Sequence, residues 1–181
     1  VARGAPDREP NVDDLRDERI DHVGLWRHLR DRFRLDWDGI HGGAHWARVG
    51  YHGRRMARAN GASVHVVTLF ACLHDGERFD EYRDAEHGAR AAALAETLRG
   101  QFFDATTEEM DLLRRACEGH SHGGLMGPLT VQTCWDADRL DLGRVGIRPR
   151  AEYLCTVQAR APATIDAAWA RSRRWLLRSR G

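Results

Sequence analysis

Five segments of this 181-residue chain carry side chains able to hold a metal ion. They are His45, the adjacent pair His74-Asp75, His87, His120 with His122 close by, and Asp138 with Asp136 and Asp141 on either side. Imidazole nitrogen and carboxylate oxygen in this mixture suit first-row divalent ions such as Mn, Fe, Ni, Co or Zn. None of the spacings is that of a local zinc finger, so a centre built from these residues must be assembled by the fold. Such an ion lowers the pKa of bound water and polarises a phosphoryl or carbonyl oxygen. Each residue alone reads equally well as an ordinary core or surface side chain, and ten histidines make isolated coincidences common. His28, His41 and His65 fall on no apolar stripe and read as structural or surface residues.

The elements that must bring these residues together read as helices. Residues 64–75, VHVVTLFACLHD, are apolar nearly all round, the pattern of a helix at the centre of a soluble protein. Ser63 suits its N-cap, and His74-Asp75-Gly76 sit where it ends. A helix from about Ala44 to Asn60 carries His45, Val49, His52 and Met56 on one stripe, and Gly61 closes it. Gly50 and Gly53 lie inside it, each costing about 1 kcal/mol relative to Ala. Close helix–helix packing is the expected compensation.

An outer helix is expected over about 18–33, with Ile20, Val23, Leu25, Trp26, Leu29 and Phe33 near helical spacing. Another should begin near Asp84, carry Glu86, His87 and Arg90, run through four alanines and close at Gly100. Thr106 and Glu109 form a capping box ahead of Met110, Leu113 and Cys117. The stretch 131–142 holds the DADRLD carboxylates, and 143–162 looks irregular. A last helix is expected on an apolar stripe of Trp169, Trp175 and Leu176, with a basic face. No segment reads as a strand, so the expected fold class is all-α, a bundle around the buried 64–75 helix. Residues 1–17, with Pro6 and Pro10, read as a flexible N-terminal arm, and 18–181 as a single domain.

Bulk properties narrow the partners. With 42% hydrophobic and 30% charged residues, the chain can fill a core without disulfides or other staples. A net charge of +1 gives no global argument for nucleic acid or membrane. All the basic residues are arginine, which codon bias explains. Cys72, Cys117, Cys134 and Cys155 lack CxxC spacing and read as reduced cysteines of a cytoplasmic protein. The basic terminal helix either docks on the core or mediates a homodimer.

The order of the motifs resembles the HD domain superfamily of metal-dependent phosphohydrolases. Its pattern is a His on one helix, a His-Asp doublet ending a central helix, and a distant Asp on a later helix. Here these are His45 in HWARV, His74-Asp75 in LHDG and Asp138 in DADRLDLG, over about residues 40–145. The look is that of stand-alone bacterial HD proteins of unknown substrate. Binuclear members add two histidines, which the resemblance assigns to His87 in AEHGARAA and His120 in EGHSHG, with His122 as the alternative. His87 follows Asp75 more closely than is usual in such members.

The resemblance implies one or two divalent ions. Asp75 would bridge, with His45, His74 and Asp138 on one ion and His87 and His120 on the other. It favours Asp138 over Asp136 and leaves Asp141 to orient a ligand histidine. The implied activity is hydrolysis of a nucleotide or other small phosphate ester, with Asp75 central to catalysis. Arg48, Arg78, Arg90 and Arg139 stand near the motifs as phosphate partners, with Arg48 and Arg139 preferred, the same two being favoured for salt bridges within the fold. Two other readings remain: a non-catalytic module that binds metal or nucleotide, and an HD-fold di-iron oxygenase.

Overall fold

The computed structural model describes residues 17–178, and within them the chain is helical, with isolated β-bridges only. The eight α-helices are α1 (His22–Arg32), α2 (Gly43–Asn60), α3 (Val64–Leu73), α4 (His87–Leu98), α5 (Thr107–Gly119), α6 (Leu129–Leu140), α7 (Val157–Arg160) and α8 (Pro162–Arg178). All of the expected N-terminal arm except Asp17 lies outside the described residues.

Helix α3 is the centre. Val66, Val67, Leu69, Phe70, Ala71 and Leu73 are each at most 2% exposed, so neighbours surround the helix on every side. Those neighbours are α1, α2, α4, α5 and α6. The Ser63 side chain accepts a hydrogen bond from the Val66 N–H and fixes where α3 begins. Gly61, at φ +82°, ends α2 in the left-handed conformation that glycine adopts without a Cβ penalty. The Thr106–Glu109 capping box is formed reciprocally at the start of α5. Trp26 and Phe33 meet Trp46 and Trp37 edge to face and dock α1 on α2.

Several expectations shift. Helix α4 starts at His87, three residues after Asp84, because Arg90 binds Asp84 and the Glu77 carbonyl and holds the intervening segment as a loop. The stretch 143–162 is partly ordered into 3-10 turns and α7, with Thr156 capping α7. In α8 the buried stripe is Ile165, Ala168, Ser172 and Leu176, and Trp169 and Trp175 flank it half-buried. Trp175 carries the Arg48 guanidinium over its ring at 4.5 Å, so the terminal helix docks on this chain's own core.

The internal glycines divide. A Cβ on Gly53 would stand 2.3 Å from Val67 Cγ1, so α2 approaches α3 as closely as expected there. A Cβ on Gly50 would meet only the mobile end of Arg54, at 3.0 Å, and Ala71 at 3.5 Å. Gly88 is tighter than either: its Cβ would lie 2.3 Å from the Cys117 backbone oxygen, where α4 crosses the end of α5.

Two alanine substitutions should therefore act in opposite directions. Gly88→Ala must push α4 off α5 and is expected to cost about 1–3 kcal/mol, the range for overpacking. Gly50→Ala should be neutral or stabilise by up to about 1 kcal/mol through helix propensity. Urea unfolding midpoints of the two variants against wild type check this.

Candidate metal centre

The site lies where α2 begins, α3 and α5 end, α4 begins and α6 ends. His45 is on the first turn of α2, and His74 caps α3 with Asp75 directly after it. His87 is the first residue of α4 and His120 caps α5. Asp138 lies on the last turn of α6. His45, His74, Asp75, His87 and His120 are each at most 5% exposed.

These side chains form two groups. His45, His74 and Asp138 offer ligand atoms within 4.8 Å of one another, and so do Asp75, His87 and His120. Asp75 faces both. Its Oδ2 lies 3.6 Å from the Nε2 atoms of both His45 and His74. Its Oδ1 lies 3.3 Å from His87 Nε2 and 3.7 Å from His120 Nε2. One carboxylate oxygen per group is the arrangement a bridging ligand needs.

Tautomers follow from the acceptors. His74 Nδ1 donates to the Phe70 carbonyl at 3.1 Å and His120 Nδ1 to the Cys117 carbonyl at 2.7 Å. His87 Nδ1 donates to the Asp84 carbonyl, and His45 Nδ1 to Asp141 Oδ2 at 2.7 Å. A carbonyl or an ionised carboxylate can only accept, so each Nδ1 carries a proton and, in the neutral ring, Nε2 is bare. Those nitrogens face one another, at 3.1 Å between His45 and His74 and 2.8 Å between His87 and His120. Two lone pairs at that distance repel unless a cation lies between or beside them. Asp138 Oδ1 is buried there with no hydrogen-bond donor. This donor set fits a divalent metal.

The electrostatics fit the same picture. Burial and Arg144 push the His45 pKa down, but the adjacent carboxylates of Asp138, Asp141 and Asp75 outweigh them and hold it at about 9. Burial drives its partner His74 down to about 3. In the other pair, burial lowers His87, while Asp75 holds His120 up against burial. Within each pair the neighbouring carboxylates raise one ring while burial lowers the other, so the two facing nitrogens differ in their affinity for a positive charge. Burial pushes the Asp75 carboxyl up, yet His74, His120 and His45 hold it well below the usual carboxylate range.

The neighbouring carboxylates separate cleanly. Asp136 is fully used by the Cys155 and Thr156 N–H groups and the Thr156 hydroxyl, so it cannot turn toward the histidines. Asp141 accepts from Arg48 Nε at 2.7 Å, Arg48 Nη2 at 3.0 Å and Ser172 Oγ at 2.6 Å, besides orienting His45. His122 lies exposed on the turn after His120.

The preferred arginines do not reach the cluster. Arg48 is committed to Asp141, and Arg139 donates to the carbonyls of Tyr153 and Gly124. Two others stand there instead. Arg144 Nη1 is 3.7 Å from Asp138 Oδ1, and its Nε and Nη1 are buried without hydrogen-bond partners. Arg78 Nη1 is 3.2 Å from His87 Nε2 and 3.5 Å from Asp75 Oδ1. Sequence reasoning missed Arg144, whose only signal is its place three residues after Asp141 in a turn closed by the Arg144 N–H on the Asp141 carbonyl. It also set aside His41, which is buried and paired with Glu81 beside the cluster.

No family model matches the chain, and no curated protein does. Among solved structures, it is similar to the 1.45 Å crystal structure of a predicted HD superfamily hydrolase from an uncultured Thermotogales bacterium. The two are 25% identical and superpose with a TM-score of 0.67, over 94% of this chain and 97% of that one. With His45, His74-Asp75 and Asp138 gathered by these helices, the chain has the HD-domain fold and is similar to the HD superfamily in structure as well as in motif order.

Proposed function

We propose that this protein is a metal-dependent phosphohydrolase acting on a nucleotide or another small phosphate ester. One observation carries the reading: four imidazoles, each with Nδ1 tied to an acceptor, turn bare Nε2 atoms toward Asp75 and Asp138. His45, His74 and Asp138 would hold one ion, His87 and His120 a second, with Asp75 shared. In that donor set divalent ions supply Lewis acidity and a water of lowered pKa at neutral pH.

The chain's own residues do the rest. Arg144 has buried, unpartnered N–H groups beside Asp138, and Arg78 stands beside His87. Together they would orient the phosphoryl oxygens and stabilise charge as it develops, the role preorganised donors fill in a dry site. Arg48 acts one step back, holding Asp141 so that His45 keeps its tautomer.

Elemental mass spectrometry of protein purified without chelator or histidine tag should find about two first-row metals per chain, as the ligand count implies. His87→Ala should lose one and Asp75→Ala both. A single metal indifferent to His87→Ala would reduce the centre to His45, His74, Asp75 and Asp138. Iron dominating the count would instead favour an oxygenase.

Hydrolysis of p-nitrophenyl phosphate, its bis ester and a nucleotide panel should require the metal and stop with chelator. Arg144→Met should keep the metal and lower kcat by about 10²-fold, the scale for losing one preorganised donor. Full metal occupancy with no turnover across the panel would leave a binding module.

A further inference from the structure

A cleft of about 730 Å³ opens on the opposite side of α2 and α3 from the metal centre, between them and α1. Trp46 and Ala47 line it, next to the metal-facing His45, and Ala71 and Cys72 line it shortly before His74. None of the proposed metal ligands lines it, so its chemistry is separate.

Its walls are of two kinds. Trp26, Trp46, Ala71 and Cys72 give an apolar floor, while Arg27, Arg30 and Arg54 stand over it against a single acid, Asp31. Arg54 is the telling residue. Its guanidinium lies across Gly50, with Nη1 3.0 Å from where a Cβ would be. Its Nε is buried with no hydrogen-bond partner, and no carboxylate among the described residues is paired with it. The Trp46 indole Nε1 is likewise buried without an acceptor. Both of these atoms are closed off from solvent, so what a molecule in the cleft would meet is the outer edge of the half-buried Arg54 guanidinium, which lies over Gly50. The volume is that of a site for a small organic molecule.

We propose that this cleft binds a small amphipathic anion, its aromatic or acyl body on the Trp26–Ala71 floor and its carboxylate, sulfonate or phosphate head on Arg54. Arg27 and Arg30, both exposed at the rim, add attraction for the head. The neutral floor takes the body, and the unpaired guanidinium gives the site its preference for negative charge.

The test uses the whole chain and two fluorescent probes of like shape, anionic 1-anilinonaphthalene-8-sulfonate and neutral N-phenyl-1-naphthylamine. Wild type should bind one equivalent of the sulfonate, at least about tenfold tighter than the neutral probe, a 1.4 kcal/mol preference. Arg54→Gln should remove that preference and leave the neutral probe unchanged, with folding checked by circular dichroism. Arg27→Glu with Arg30→Glu, on the exposed rim, should weaken the sulfonate severalfold and serves if Arg54→Gln does not fold. Displacement by decanoate would assign an acyl anion, and displacement by adenosine monophosphate an aromatic one. Equal affinity for the two probes, wild-type affinity in the arginine variants, or displacement by neither competitor would overturn the proposal.

Discussion

The centre depends on where each histidine spends its Nδ1 proton. Three of the four spend it on a backbone carbonyl three or four residues earlier, and each of these sits at a helix end. Helix ends are where carbonyls lose their regular partners or backbone leaves the helical path, so an imidazole can reach one without breaking a helix. The result fixes the tautomer and the ring plane at once, and leaves Nε2 bare for a cation. Packing then decides where those helix ends meet. Gly88 lets α4 come within backbone contact of α5, which brings His87 Nε2 to 2.8 Å from His120 Nε2.

The fourth histidine is held differently. His45 opens α2, and its Nδ1 partner is the carboxylate of Asp141, ninety-six residues on. That carboxylate is fully buried, and a lone buried charge is strongly unfavourable. The bidentate Arg48 pair and the Ser172 hydroxyl satisfy it. One anion thus ties the start of α2, the end of α6 and the middle of α8 to a single ligand ring. The same contact explains why α8 presents Ser172 at the centre of an otherwise apolar stripe, and why its tryptophans were free to flank that stripe.

The sequence made the helices and the ordered ligand set readable because both rest on local chemistry. Caps at Ser63 and Thr106, the left-handed Gly61 and the all-apolar α3 each follow from a few adjacent residues. What stayed hidden depends on distant partners. Nothing near Arg48 or Arg139 reveals that one serves Asp141 and the other two carbonyls. Arg144 lies in an irregular stretch whose periodicity says nothing about direction. His52 shares the stripe of His45, yet two helical turns carry it away from the centre. It ends buried, with its pKa pushed by burial down to about 4. A stripe gives the face of a helix but not which end of that face meets the site.

Charge balance bears on the phosphate-ester reading proposed above. Arg48 cancels Asp141, and Arg78 and Arg144 stand against Asp75 and Asp138, so with neutral imidazoles the charged side chains nearly balance. Any divalent cation added to this set leaves it positive inside a low-dielectric pocket, where an uncompensated charge is expensive. Water alone neutralises such an excess poorly once the histidines are buried. An anion that reaches both arginines would do so, and a phosphoryl group offers enough oxygens to meet Arg78, Arg144 and a metal together. A neutral substrate would leave the buried Nε and Nη1 of Arg144 with nothing to bind. On the phosphohydrolase reading proposed above, the arginines that sequence reasoning did not favour are the ones that would turn a general metal centre toward phosphate esters.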